Sequence, residues 1–441
     1  YFLSASYRYD KMSSLPHGNQ GVNLPALSLG WDVAKESFFT SELISQFKIR
    51  GGYASVGNTE IDNYPYAGTF AARIYGDNTG LSYSNTGNPI LGFETSKKIN
   101  FGVDLAFLND RITFVADYFR NNIDNMVLAV PTSPSLGVPN NVISQNVGKM
   151  FNQGFEFNLG GNVIAKEHFN WNTNVNLTFV KNEVQELAGG NDITSLMHVT
   201  RVGHSIGSFY GYEFTGVNSE NGNPIYLNAE GNLVQQIVGT NGNYALYDPN
   251  NKADVSQASS LGEKKILGNS NPTWFGGFNN NFSYKGLDLV INMSFSGGNK
   301  VYNRTRQESL NNMEMQNAGV ELLDRWTTVG QETDVPKLMY GYGAQINLEN
   351  SMNSRFLENG NFLRMRTIGL GYTFKNTVFL NSINLSRLKI FANVENAFVI
   401  TNYSGIDPEV SSSFTTNQAP AMDYMSNPVP RTYTVGINVG F

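Results

Sequence analysis

Apolar and polar residues alternate in stretches of roughly ten from one end of this chain to the other, which predicts an all-β protein with strands wet on one face and greasy on the other. Two further observations sharpen this to a transmembrane antiparallel β-barrel. Charged residues make up only 15% of the chain and aromatic residues 12%, whereas an ordinary soluble domain carries roughly 25% charge. The links between strands also alternate in length, the rhythm of a barrel with short periplasmic turns and long extracellular loops.

Taken in order, alternation near 1–9, 22–31 and 46–55 predicts the first three strands. Ile99, Phe101, Val103, Leu105 and Phe107 then stand against Asn100, Gly102, Asp104 and Ala106 without a break. Weaker patterns follow at 111–120 and 147–160. From Trp171 the apolar set is Trp171, Val175, Leu177 and Phe179 with Thr173, against Asn172, Asn174, Asn176 and Thr178. After 273–284 comes the row Leu287, Leu289, Ile291, Met293 and Phe295, then 362–374 and 387–396. The chain closes on Tyr433, Val435, Ile437, Val439 and Phe441. That makes about twelve strands of roughly ten residues, the length a tilted strand needs to cross a bilayer.

The connections carry the topology. Leu108, Asn109, Asp110 and Arg111 form one tight turn, and Tyr284, Lys285, Gly286 and Leu287 another. Links near 161–168 and 375–386 are modest, while 56–95, 121–146, 181–272, 297–361 and 397–430 are long, which is unusual in a compact soluble domain. With Phe441 at the periplasmic rim, every tight turn falls on the periplasmic side. Within the long loops, NSENGNPIYLNAEGNLV at 218–234 predicts small hairpins. No repeat of fixed period emerges, which disfavours a propeller or solenoid.

Composition excludes several classes. No run of 18 apolar residues exists, so no helix of this chain spans a membrane. A mean hydropathy of −0.28 still allows a barrel, because a polar lumen face dilutes the lipid face. A net charge of −6 argues against nucleic acid as a partner. The absence of Cys removes disulfides and thiol chemistry. The opening YFLSASYRYD carries neither Met nor a basic n-region, so the beginning of the protein is expected to lie outside this sequence.

The motifs argue against catalysis, and no cofactor or metal is expected. GHSIG at 203–207 fits a nucleophile elbow with Ser205, but no His follows His204 to serve as its base. His17, His168, His198 and His204 lack metal-site spacing and read as surface or loop residues. Asp248, Asn250 and Asp254 lack the Gly and terminal Glu of a calcium loop. The loop aromatics are more telling, because rigid rings grip sugars or peptides at low entropic cost. Phe209, Tyr210, Tyr212, Tyr340 and Tyr342 are the candidate substrate-binding residues, against the plainer expectation that such rings pack the loops together.

A collinear series of segments resembles the barrel of SusC-like TonB-dependent outer-membrane transporters (the RagA/SusC type). It includes LSLGWDVAKESFF (27–39), NPILGFETSKKINFGVDLAFLNDRITFVADYF (88–119), VGHSIGSFYGYEFTGV (202–217), RFLENGNFLRMRTIGLGYTF (355–374) and YTVGINVGF (433–441). The resemblance implies an outer-membrane barrel of roughly 22 strands, of which residues 1–441 supply the C-terminal portion, about 12–14. Signal peptide, TonB box and plug are absent from this sequence. It further implies import of an oligosaccharide or oligopeptide, a SusD-like lipoprotein lid, the TonB energy-transducing complex acting through the N-terminal part, and room for a dimer of transporter–lid pairs. Phe441 would be the C-terminal barrel-closure signal. Two alternatives stay open: a self-contained porin or barrel enzyme, and a soluble β-rich carbohydrate-binding protein whose apolar faces meet across one core.

Overall fold

The computed structural model describes residues 1–58, 61, 63–195, 197–240, 242–375, 380, 382, 385–412 and 418–441. Twelve strands form one antiparallel sheet in strict chain order. They are β1 (Phe2–Lys11), β2 (Gly21–Asp32), β3 (Ile44–Gly57), β4 (Thr95–Phe107), β5 (Ile112–Asp124) and β6 (Lys149–Ala165). β7 (Phe169–Glu186), β8 (Trp274–Tyr284), β9 (Leu287–Gly297), β10 (Phe362–Lys375), β11 (Arg387–Thr401) and β12 (Thr432–Gly440) complete the sheet. All twelve coincide with the alternating stretches of the sequence. β1 pairs with β2 and β12 with β11, and among the described residues neither has a second neighbour, so the sheet is open.

Local chemistry sets each tight turn. Lys285 and Gly286 both take positive φ, 46° and 90°, the requirement of a two-residue hairpin whose twist matches its strands. Leu108, Asn109 and Asp110 also have positive φ without a glycine among them. That turn is braced from β3's N-terminal side, where the Ser45 hydroxyl donates to Asp110 Oδ1 at 2.8 Å and accepts from the Asp110 N–H at 3.1 Å. The modest link at 375–386 lies largely outside the described residues.

Because side chains alternate with period 2, the register divides the sheet into two chemically distinct faces. On one face Phe101, Tyr118, Phe155, Phe179 and Trp274 stand in direct register across β4 to β8. Nearer the short turns, Phe169 faces Tyr284 and Trp171 stacks on Phe282 at 5.6 Å, the interfacial aromatic girdle expected of a membrane barrel. Among the described residues no second sheet covers this face: Phe101 is 60% exposed, Val435 78% and Ile437 66%. A soluble sandwich would bury these residues, so the soluble alternative is not the architecture.

A polar cross-strand pair, Thr173 and Asn280, interrupts the apolar face. Asn280 is paired with Thr173 and Ile291, yet it is buried, and its carbonyl accepts from Trp171 Nε1 and Thr173 Oγ1, both at 3.0 Å. Internal satisfaction is what a polar group needs where no water reaches it.

β6 and β7, at 17 and 18 residues, outrun the roughly ten residues expected from the sequence. Their pairing continues past the bilayer-crossing portion to Lys149 and Glu186, and Asn182 Nδ2 donates to Asn152 Oδ1 at 2.7 Å in that extension.

The packed cores lie in the loops, not in the sheet. The β7–β8 connection contains a sheet of 193–195, 198–200, 208–211 and 265–268, and a five-stranded sheet ending at 258–259. In the second sheet, 213–217, 224–227 and 233–236 are successive hairpin strands within and beside the segment read as hairpins. The β9–β10 and β11–β12 connections join through 300–303, which pairs with 357–359 on one side and 422–423 on the other.

Candidate functional site

Two regions could handle a solute: the polar face of the sheet and the assembly of long loops at one rim. On the polar face the charged residues of the alternating strands meet across the sheet. Arg50 of β3 reaches Asp104 of β4 with Nε at 3.0 Å and Asp117 of β5 with Nη2 at 2.5 Å. Gly102 lies beneath it, where a Cβ would stand 2.6 Å from Arg50 Cζ. Lys389 of β11 pairs with Asp288 of β9 at 3.0 Å, although β10 runs between them. Between these ionic groups β6 and β7 present cross-strand amide pairs: Asn174 to Asn158 at 2.8 Å and Asn172 to Asn162 at 2.9 Å. Such a wall offers donors and acceptors to solutes or to other protein segments, while the charges of Arg50, Asp104, Asp117, Lys389 and Asp288 are paired with one another.

At the loop rim three connections weld together. Met197 and Phe209 from the β7–β8 loop, Tyr302, Met352 and Phe356 from the β9–β10 loop, and Met422 from the β11–β12 loop make one buried cluster. His198 packs on the Phe209 ring at a centroid distance of 4.7 Å, and its Nε2 contacts the Pro420 carbonyl oxygen at 2.8 Å. Burial lowers its pKa from 6.5 to about 4, against the opposing pull of that hydrogen bond. His198 thus lies in a loop, as expected of a surface or loop histidine, but it is buried there: Phe209 of its own loop and Pro420 of the β11–β12 loop close over it, a tertiary event with no local sequence signal.

An ionic cluster fixes the β9–β10 loop. Glu321 accepts from Arg306 at 2.7 Å and from Arg355 at 2.8 Å, and Arg306 also meets Glu358 at 3.2 Å. Burial alone would raise the Glu321 pKa, but hydrogen bonds from Arg306 and Asn311 and the two guanidinium charges outweigh it, holding the carboxyl at about 2.

The five aromatic candidates do not form one site. Phe209 is fully buried in the three-loop core, so it is corrected from a solute contact to a packing residue. Tyr210 points the other way, half-buried beneath the Arg201 guanidinium at 5.2 Å. Tyr212 packs against the cluster of Tyr226, Val234, Leu261 and Leu348. Tyr340 is 60% exposed, and the half-buried Tyr342 precedes the short helix Gly343–Ile346. Phe441 is exposed beyond the end of β12.

The other motifs resolve into structure. The Ser205 hydroxyl donates to Asn182 Oδ1 at 3.0 Å and accepts from Asn271 Nδ2, so amide side chains and not a base are its partners among the described residues. Asp248 and Asp254 accept backbone N–H groups within their own turns, and no metal-binding cluster exists among the described residues. Sequence reasoning missed Arg50, Asp104 and Asp117, although each occupies the polar row of an alternating strand. That placement was the available signal.

An open, two-faced sheet with an apolar girdle and a polar inner face bridged by ion pairs defines part of a membrane-spanning β-barrel. The chain belongs to the TonB dependent receptor-like, beta-barrel family, whose model matches residues 1–248. Members of this family are outer-membrane proteins. TonB-dependent receptor P3 of Formosa agariphila is 27% identical over 460 residues, covering 100% of this chain and 44% of the relative. TonB-dependent receptor SusC of Bacteroides thetaiotaomicron is 27% identical over 472 residues, covering 100% and 42%. Among solved structures, that of the RagAB peptide transporter superposes with a TM-score of 0.83 at 25% identity, covering 100% of this chain and 46% of the other. The chain thus spans somewhat less than half the length of these relatives, which are receptors and transporters and not enzymes.

Proposed function

We propose that residues 1–441 form the C-terminal portion of the barrel of a TonB-dependent importer, which takes up an oligosaccharide or oligopeptide together with a SusD-like surface lipoprotein. The observation that carries this reading is the open sheet. Among the described residues β1 and β12 each leave one edge unpaired, and unpaired backbone groups in hydrocarbon cost several kcal/mol each. Further strands would close the barrel between those edges, and a plug with its TonB box would occupy the lumen and couple it to the energy-transducing complex. Phe441 would be read during insertion of the finished barrel.

The lid has support of its own. The β9–β10 loop exposes Met315, Val320, Leu323 and Val329, between 68% and 90% accessible, more apolar surface than water favours. A lipoprotein lid would cover part of it, and the reading extends to a dimer of transporter–lid pairs.

The test uses the full-length protein in native outer membranes. Mild-detergent purification should recover a surface lipoprotein, and a deletion within 314–332 should release it without unfolding the barrel. Recovery of the barrel alone, together with solute uptake that survives collapse of the proton gradient, would contradict the proposal and favour a passive porin.

A further inference from the structure

The outer face of β4 to β7 changes character just past the aromatic row of Phe101, Tyr118, Phe155 and Phe179. Arg120 of β5, Gln153 of β6 and Lys181 of β7 stand in direct register there, on the same face as those rings and nearer the long loops. The row beyond them holds Lys97, Asn122, Phe151 and Glu183. On β7, Lys181 lies ten positions beyond Trp171 of the girdle near the short turns. That is roughly 33 Å along the strand and roughly 25 Å of height at a tilt of about 40°, the height of a barrel's apolar band. Charge therefore begins on this face where hydrocarbon gives way to headgroups on the loop side.

The cations of this zone are not all matched. Lys97 pairs with Asp124 at 2.8 Å, Lys149 with Glu186 at 2.6 Å and Lys181 with Glu183 at 2.7 Å. Arg120 has no carboxylate partner among the described residues, unlike Arg50, Arg201, Arg306, Arg355 and Arg364. Two neutral side chains hold it instead: Nε donates to Asn122 Oδ1 at 2.9 Å and Nη1 to Gln153 Oε1 at 2.8 Å. Its Cζ lies 4.5 Å from the centroid of the Phe151 ring, which Lys181 Nζ approaches to 5.8 Å, and the ring is only 5% exposed. Among the described residues Nη2 has no hydrogen-bond partner. The guanidinium is thus fixed in one plane with a donor edge free, the arrangement that suits a phosphate. A cation kept at the edge of hydrocarbon without a counter-ion is unfavourable, so an anion arriving there gains by pairing with it.

We propose that Arg120, assisted by Lys181, binds the headgroup phosphate of an anionic lipid in the outer leaflet, whose acyl chains lie along Tyr118, Phe155 and Phe179. The contact depends on the lipid face of the sheet and is independent of import.

Native mass spectrometry of the full-length protein in detergent, with diphosphoryl lipid A and separately with phosphatidylcholine, tests it. Lipid A is expected to bind about tenfold more tightly than phosphatidylcholine, whose choline already neutralises its phosphate. Arg120→Gln should weaken lipid A binding about tenfold and Lys181→Gln about fivefold, whereas Arg120→Lys, which keeps the charge without the planar fork, should recover part of the loss. Lys166→Gln, in the short β6–β7 link at the opposite rim, should change nothing. Heat-modifiable gel mobility checks that each variant folds. Equal retention of the two lipids, unchanged binding in both Gln variants, or displacement of lipid A by millimolar inorganic phosphate would overturn the proposal. A benzophenone side chain in place of Phe155 should label lipid in native membranes; a crosslink to a protein chain, whether a surface lipoprotein or a second copy, would also overturn it.

Discussion

Arg50 and Asp117 are joined at 2.5 Å across the intervening strand β4, and Gly102 is what lets them meet. The guanidinium lies over the one position of β4 where a side chain would block it. Sequence, packing and lumen electrostatics therefore converge on a single glycine.

Gly102→Val should break this bridge and crowd the inner face, costing about 1–3 kcal/mol. Arg50→Ala should cost a comparable amount, about 1–3 kcal/mol, because the guanidinium itself is about one-third exposed but its loss leaves the Asp117 carboxylate, only 11% exposed, without its partner. Urea titration of the refolded full-length barrel measures both. A Gly102→Val variant as stable as the parent would contradict the packing account.

Ile291 and Asn292 are adjacent on β9 and face opposite ways, Ile291 toward Ile368 and Asn292 toward Thr367. Ile291→Arg should destabilise the barrel by about 2–4 kcal/mol, whereas Asn292→Arg should cost little. Equal losses in heat-modifiable gel mobility or urea titration would remove the lipid-face assignment.

The twelve strands were legible in the sequence because period-2 alternation survives wherever one face meets lipid and the other water. What the loops do was not legible. Phe209 sits within GSFYGY, a segment whose composition is the same whether its rings reach solvent or a core, and only contact with Tyr302, Met352 and Met422 from two other loops buries it. The Arg306–Glu321–Arg355 cluster likewise joins residues up to 49 positions apart, with no local pattern to announce it. The hairpins near 218–234 were readable because their Asn-rich turns are set by neighbouring residues alone.

His198 ties loop stability to pH. Its pKa is about 4 when buried and 6.5 when free, so the unfolded loop takes up the proton first as pH falls. Its contribution is complete above pH 6.5 and is lost progressively between 6.5 and 4, by about 3 kcal/mol in all. Hydrogen-exchange protection factors of segments 197–211 and 418–423, corrected for the slower intrinsic exchange at lower pH, should fall from pH 7 to pH 5, and His198→Gln should flatten that dependence. Exchange with the same pH profile in parent and variant would contradict the assignment.

Glu321 acts at lower pH. Its carboxyl is held at about 2 against 4.5 when free, so its contribution is present above pH 4.5 and is lost as pH falls toward 2. Glu321→Gln at neutral pH should loosen the β9–β10 loop, since it leaves the buried Arg355 without its carboxylate. Limited proteolysis within 306–358 reads this out, and unchanged cleavage would count against the cluster's structural role.

The central claim is a membrane-spanning wall with one lipid face and one lumen face, and this stretch carries no Cys. Single cysteines at Leu289, Val290, Ile291, Asn292 and Met293, placed in the full-length protein and reconstituted in bilayers with a fluorophore on each, can be challenged with lipid-borne nitroxide. The account predicts strict alternation, with strong quenching at Leu289, Ile291 and Met293 and weak quenching at Val290 and Asn292. Uniform quenching along the strand, or none at any position, would contradict it.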